Sequence, residues 1–265
     1  MVEGTGFENR HPGNWIESSN LSLSAARYKK DIPRVYYYMQ AVILAAGEGV
    51  RMRPLTLERP KPLILVGGMP ILEHVVRALP DDVEEIILVV KYMQEKIREY
   101  CGDTFFGKKV IYVEQGEKKG TAAALEYSRP HLKDRFLVTF ADDLLAKADL
   151  EELAQHTYGL LVAKSKAPER FGVVSINPDD TLRTIIEKPE HPETNLISTG
   201  VAVLTQNIFN YAPSETKGEL GIPGMITALA RDYPVSIVQA SFWQPVGYPD
   251  DIALAEAALR AFMQA

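Results

Sequence analysis

The chain holds a single cysteine, Cys101, among its 265 residues. That excludes an intrachain disulfide and leaves little basis for a cysteine-rich zinc site. The expectation is a reducing, cytoplasmic compartment. No stretch approaches the roughly 20 apolar residues needed to cross a bilayer. The N-terminus lacks the apolar core of a secretory signal, so no membrane partner is expected. Positive charge is also in short supply, with 29 Lys and Arg against 35 Asp and Glu and a net charge of −6. Binding to a nucleic-acid backbone needs a cationic face, so nucleic acid is not expected as a partner. Local phosphate sites stay open, because a few cations and backbone N–H groups suffice for them. Hexapeptide repeats are missing too, and no left-handed β-helix tail is expected.

What is present begins with a hydrophobic share of 46%, enough for a substantial core. Residues 1–38 lack a sustained period and are rich in Gly, Asn, Ser and charge. They are read as a flexible N-terminal extension, or as sequence upstream of the true start. From Met39, short apolar runs alternate with amphipathic segments. Strands are expected at 40–46, 85–90, 110–113 and 136–140, with helices at 71–79, 92–100 and 121–127. This rhythm implies a Rossmann-like, mostly parallel sheet with helices on both faces. After about residue 158, strands follow one another at 160–164, 172–176, 182–186 and 197–204. The expected fold is one α/β domain over 39–265 whose antiparallel-rich second half forms the far wall of a ligand cleft. Helices return at 221–231 and 250–263.

The first strand runs into Gly47-Glu48-Gly49-Val50-Arg51-Met52-Arg53-Pro54-Leu55. Glycines let backbone N–H groups approach a phosphate that a Cβ would block. In a doubly wound sheet, the turn after a strand's C-terminal end is where ligands sit. A lone Gly-x-Gly is most often an ordinary turn, and no third glycine completes a dinucleotide fingerprint. Context strengthens it: Arg51, Arg53 and Lys61 are three cations beside a glycine turn in an acidic chain, as a triphosphate clamp requires.

The segment from Leu44 to Met52, with Pro54-Leu55-Thr56 and Lys61-Pro62-Leu63, closely resembles the opening of the sugar-1-phosphate nucleotidyltransferases, the thymidylyl and uridylyl members above all. The likeness runs from Met39 to about Ala258. It implies the nucleotide-diphospho-sugar transferase-like fold, with a nucleoside triphosphate and a sugar-1-phosphate as partners. It implies that Leu44, Ala46, Gly47, Gly49 and Arg51 hold the nucleotide and that Lys61 reaches the reacting phosphates. Gln115 and Gly120 match residues that meet a pyrimidine base, for which an amide edge suits uracil or thymine; UTP or dTTP is favoured. Asp142, at a strand end, matches a ligand to Mg²⁺, an ion usually held by one or two carboxylates plus phosphate oxygens and waters. Gly172, in Phe171-Gly172-Val173, and Glu187-Lys188-Pro189, Asn195 and Thr199-Gly200 match the sugar-phosphate side. A homo-oligomer is compatible with the sequence.

One departure stands out. The family commonly carries Trp-x-Asp-Ile-Gly near its C-terminus, and this chain has Trp243-Gln244-Pro245-Val246-Gly247. Pro245 stands where a second metal-binding Asp is usual. Asp250 and Asp251, which follow, are read as helix caps. Two rivals stay open: a cytidylyltransferase acting on a non-sugar phosphate, and a non-catalytic relative that binds nucleotide-sugars.

Overall fold

The computed structural model describes residues 39–216 and 218–264, and the extension expected over 1–38 lies outside them. The main-sheet strands are β1 (Met39–Ala45), β2 (Val83–Val90), β3 (Thr104–Phe105), β4 (Lys108–Glu114), β5 (Arg135–Phe140), β6 (Gly159–Lys164), β7 (Gly172–Ile176), β8 (Leu182–Glu187), β9 (Leu196–Thr205) and β10 (Ser236–Gln239). The helices are α1 (Ile71–Ala78), α2 (Gln94–Cys101), α3 (Thr121–Ser128), α4 (Lys147–Leu153), α5 (Ile222–Leu229) and α6 (Asp251–Gln264). Among the described residues, no helix is long and apolar enough to cross a membrane.

β1 is apolar at nearly every position because both its faces are covered. Ala41, Ile43 and Ala45 enter one core beside residues of α1, α2 and α4. Val42 enters the other beside residues of α3 and α5. β2 divides in the same way, Ile86, Leu88 and Val90 to one side and Ile87 and Val89 to the other. The period of two along each strand thus sets helices on both faces.

Four strands are parallel in the order β4-β2-β1-β5. Chain order reverses between β1 and β5, so the loops leaving Ala45 and Phe140 diverge and open a crevice at their C-terminal ends. The antiparallel strands of the second half belong to the same sheet. The far half of β9 pairs with β5, Ala202 facing Val138, and its near half pairs with β7, Ile197 facing Val173. β9 therefore overshoots the end of β5 and carries β7 and β8 above the crevice. On its other edge β9 pairs with β6, with a register shift between Ser198 and Ala202. β10, which the sequence did not suggest, runs parallel to β6 at the outside.

Candidate active site

The crevice is built first from the turn after β1. Gly47 is exposed, with open space where a Cβ would stand. Gly49 has φ 63°, and a Cβ there would lie 2.9 Å from Cγ2 of Thr56 and 3.1 Å from Cβ of Lys61. The Thr56 hydroxyl donates to Gly49 O at 2.9 Å. The turn and the Lys61 segment are thereby packed on one another, which only a glycine at position 49 permits. Arg53 turns aside to Glu48, 3.7 Å away on the surface.

Lys61 begins the short helix Lys61–Leu63 and is only 9% exposed. Its Nζ donates to Oδ2 of Asp142 at 2.6 Å, joining the β1 side of the crevice to the β5 side. The β5 side is anchored by the Ala141 N–H, which donates to Leu44 O at 3.2 Å, and by Val246 N–H on Asp142 O at 3.1 Å. Asp143 points inward and accepts from Nε1 of Trp243 at 2.9 Å. Burial, with the Asp142 carboxylate adding to it, pushes the Asp143 carboxyl well above the usual carboxylate range.

Pro245 lies opposite Asp143 in a two-stranded ladder of Asp143–Leu145 with Trp243–Pro245. It is therefore beside the acidic pair and brings no carboxylate. Asp251 is not free to replace one: its Oδ2 accepts from the N–H groups of Gly247 and Tyr248, both at 2.8 Å. Among the described residues, no group of three or more His, Cys, Asp or Glu is placed to hold a metal ion. A cation here would rest on Asp142, whose side chain keeps 35% of its surface exposed, and on ligand oxygens. That donor set fits Mg²⁺, which keeps several waters and needs few carboxylates.

Gln115 stands just beyond β4 at the same sheet end; its N–H donates to Val90 O at 2.9 Å and its side-chain amide to Lys118 O at 2.9 Å. At Gly120 a Cβ would come within 2.3 Å of the Leu220 carbonyl oxygen, so packing alone already calls for glycine. Leu44 near the end of β1 and Ala46 just beyond it are both half-buried, packed against the core beside α3 and α5.

On the sugar-expected side, Gly172 pairs with Glu187 across β7 and β8, and a Cβ on Gly172 would lie 3.2 Å from Oε2 of Glu187. Lys188 donates its N–H to Phe171 O at 2.9 Å, and its Nζ lies 3.2 Å from Oε1 of Glu187. Asn195 is exposed, its carbonyl accepting from Ser165 N–H at 2.9 Å. Thr199 is buried, and its hydroxyl donates to Leu161 O at 2.9 Å across the register shift, which leaves that hydroxyl committed to the sheet. Sequence reasoning weighs Asp143 beside Asp142 and prefers Asp142 as the metal ligand; it does not single out Arg170 or Tyr248. These two carry no local pattern and meet the site only through folding.

A family model described as nucleotidyl transferase matches residues 40–261. The chain is 37% identical over 218 residues to the bifunctional protein GlmU of Methanocaldococcus jannaschii, covering 81% of this chain and 52% of that protein. It thus spans about half the length of that relative. It is 33% identical over 235 residues to the UTP–glucose-1-phosphate uridylyltransferase AglF of Haloferax volcanii, covering 84% of this chain and 97% of that one. Among solved structures, a putative glucose-1-phosphate thymidylyltransferase from Bacillus anthracis superposes with TM-score 0.75 at 26% identity, over 84% of this chain and 95% of that chain. A UDP-glucose pyrophosphorylase complexed with UDP-glucose, at TM-score 0.75 and 19% identity over 85% of this chain and all of that one, shares the fold. With the glycine turn, the Lys61–Asp142 pair and the Glu187–Lys188 strand end gathered at one crevice, the chain belongs to the nucleotidyl transferase family, with sugar-1-phosphate nucleotidyltransferases among its relatives.

Proposed function

We propose that the chain transfers a nucleotidyl group from a nucleoside triphosphate, UTP or dTTP, to a sugar-1-phosphate, giving an NDP-sugar and pyrophosphate. The observation that carries this reading is the 2.6 Å contact of Lys61 with Asp142 at the point where strand order reverses. On one side lies a glycine turn open to a polyanion; on the other lie Glu187 and Lys188. The likeness to a uridylyltransferase over nearly its whole length supports the same substrate classes.

The acceptor phosphate is a monoester with a second pKa near 6, so it is mostly dianionic at neutral pH and needs no general base. It attacks the α-phosphorus in line, the bond to the bridging oxygen breaks, and pyrophosphate carries the electron pair away. The protein's task is to hold two polyanions together and spread the charge of the transition state. Arg51 and the turn amides take the triphosphate, Lys61 the reacting phosphates, and Lys188 the sugar phosphate. Mg²⁺, held by Asp142 and phosphate oxygens, would supply further charge neutralisation when bound.

A pyrophosphate-release assay with Mg²⁺, over a panel of triphosphates and sugar-1-phosphates, tests the reading. Turnover is expected with UTP or dTTP, and Arg51→Ala should lower it about 100-fold or more while the protein stays folded. Absence of turnover with every pair would favour a nucleotide-sugar-binding protein, the reading Pro245 invites.

A further inference from the structure

Arg51 has two neighbours that the reaction as described does not use. Its guanidinium carbon lies 5.2 Å from the centroid of the Tyr248 ring, and that of Arg170 lies 5.6 Å from the same ring. The three residues come from distant parts of the chain. Arg51 follows β1, Arg170 ends the short helix Pro168–Arg170 before β7, and Tyr248 lies in the loop between Trp243–Pro245 and α6. Two guanidinium groups repel, and a ring that both approach offsets that repulsion through its electron-rich face and hydroxyl oxygen. The phenol responds: a hydrogen bond from Arg51, with Arg170 adding to it, holds it below the usual tyrosine range. The ring is in turn fixed by its backbone, because Asp251 accepts from the Tyr248 N–H. Among the described residues, no carboxylate forms an ion pair with either guanidinium.

Position tells which substrate Arg170 can reach. Phe171 O accepts from Lys188 N–H, and Gly172 faces Glu187, so Arg170 stands one residue past the strand end that carries Glu187 and Lys188. It belongs to the far wall of the crevice, as Arg51 belongs to the near one.

We propose that Arg170 binds the phosphate of the sugar-1-phosphate, and that Tyr248 is a positioning residue that holds Arg170 beside Arg51. The acceptor phosphate and the triphosphate are then gripped by neighbouring guanidinium groups from the two walls. This rests on the nucleotidyl-transfer reading above. Arginine suits the task because its planar fork can grip two phosphate oxygens at once, and a lysine's point charge cannot reproduce that.

The test uses the full chain with Arg170→Gln, Arg170→Lys and Tyr248→Leu. KM for glucose 1-phosphate and for UTP is measured separately, and binding of each is followed by calorimetry. Arg170→Gln should raise KM for glucose 1-phosphate by about tenfold or more, the loss expected for a hydrogen bond to a charged group. KM for UTP should stay within about twofold, and Arg170→Lys should recover only part of the loss. Tyr248→Leu should raise both KM values, since both arginines lose the ring; a purely structural loop residue would lower the melting temperature and leave both unchanged. Unaltered KM values in Arg170→Gln, or a rise confined to UTP, would overturn the assignment. Should the protein turn over no pair at all, the nucleotidyl-transfer reading fails and calorimetry still decides the clamp. Selective loss of glucose 1-phosphate binding in Arg170→Gln upholds it. Equal binding by both proteins, or none by the unaltered one, overturns it.

Discussion

Gly200 occupies a place where no side chain fits. Its φ is 82°, and a Cβ would lie 2.0 Å from Cε2 of Phe140, the last residue of β5. This is where β9 bends as it passes the end of β5 to carry the far wall, so the glycine serves the cleft through the backbone. Gly200→Ala should cost about 2–5 kcal/mol, combining left-handed strain with overpacking; a loss under about 1 kcal/mol in urea denaturation would mean that the bend relaxes freely. Asp142 makes a different case, a side chain whose contact with Lys61 is expected to matter more to turnover than to stability. Asp142→Asn keeps the volume and removes the charge facing Lys61. It should cost about 1–3 kcal/mol, since the pair is part-exposed, while turnover falls about 100-fold or more at any Mg²⁺ concentration. Turnover restored by excess Mg²⁺ would reduce Asp142 to a tuner of affinity. The sequence separates these two kinds of residue poorly. Gly120 and Thr199 both match ligand-facing positions, yet one abuts the Leu220 backbone and the other closes a register shift with its hydroxyl. Nothing local in a sequence tells a glycine that admits a ligand from one that admits another strand.

The elements themselves were legible where their period was long enough to read. β1, β2, β5 and β7 follow from continuous or alternating apolar runs, and α1 from apolar residues at helical spacing. The short pieces were not: α4 has seven residues, too few to establish a period, and β10 has four, only Val238 of them buried. The pairing that makes β10 a strand, with β6, lies more than seventy residues away in sequence. The loop after Trp243–Pro245 shows a further limit. Asp251 is read from sequence as a cap of α6, and it is the first residue of that helix, but its carboxylate reaches back to the Gly247 and Tyr248 amides. It ties the helix to the loop that carries the aromatic ring beside Arg51. Asp251→Ala frees two amides and should cost about 1–2 kcal/mol. Because Tyr248 loses its anchor, amide exchange at Gly247 and Tyr248 should quicken well beyond that of α6 as a whole. Uniform exchange across loop and helix would show that packing, not the carboxylate, fixes the loop.

At the scale of the whole molecule, one sheet builds both walls of the crevice, because β9 joins the parallel half to the strands of the far wall. The same packing leaves a signature in the dependence of stability on pH. Burial pushes the Cys101 thiol from 9.0 up to about 12, and it pushes Tyr112 from 10.0 to about 12. Tyr100 reaches about 12 through burial and its bond to Glu73, and Tyr211 through its bond to Asp232. Each group keeps its proton in the folded chain at a pH where the unfolded chain has released it. The unfolded state then binds fewer protons, so the slope of stability with pH is negative. The contribution of these four groups is whole below pH 9 and is lost as pH climbs towards about 12. Tyr248, held below its usual range by Arg51, and Lys108, held down by burial, work in the opposite sense with smaller shifts. The melting temperature should accordingly fall steadily above about pH 9, and the fall should be shallower in Cys101→Ala and in Tyr211→Phe. Cys101→Ala isolates the core beneath α2, where the thiol lies with Ile97. Tyr211→Phe isolates a surface pair in which the loss comes chiefly from a carboxylate neighbour, with burial second. A melting temperature constant from about pH 8.5 to 11 would mean that the unfolded chain keeps these protons as tightly as the folded one, and that neither burial nor the Asp232 contact survives in solution.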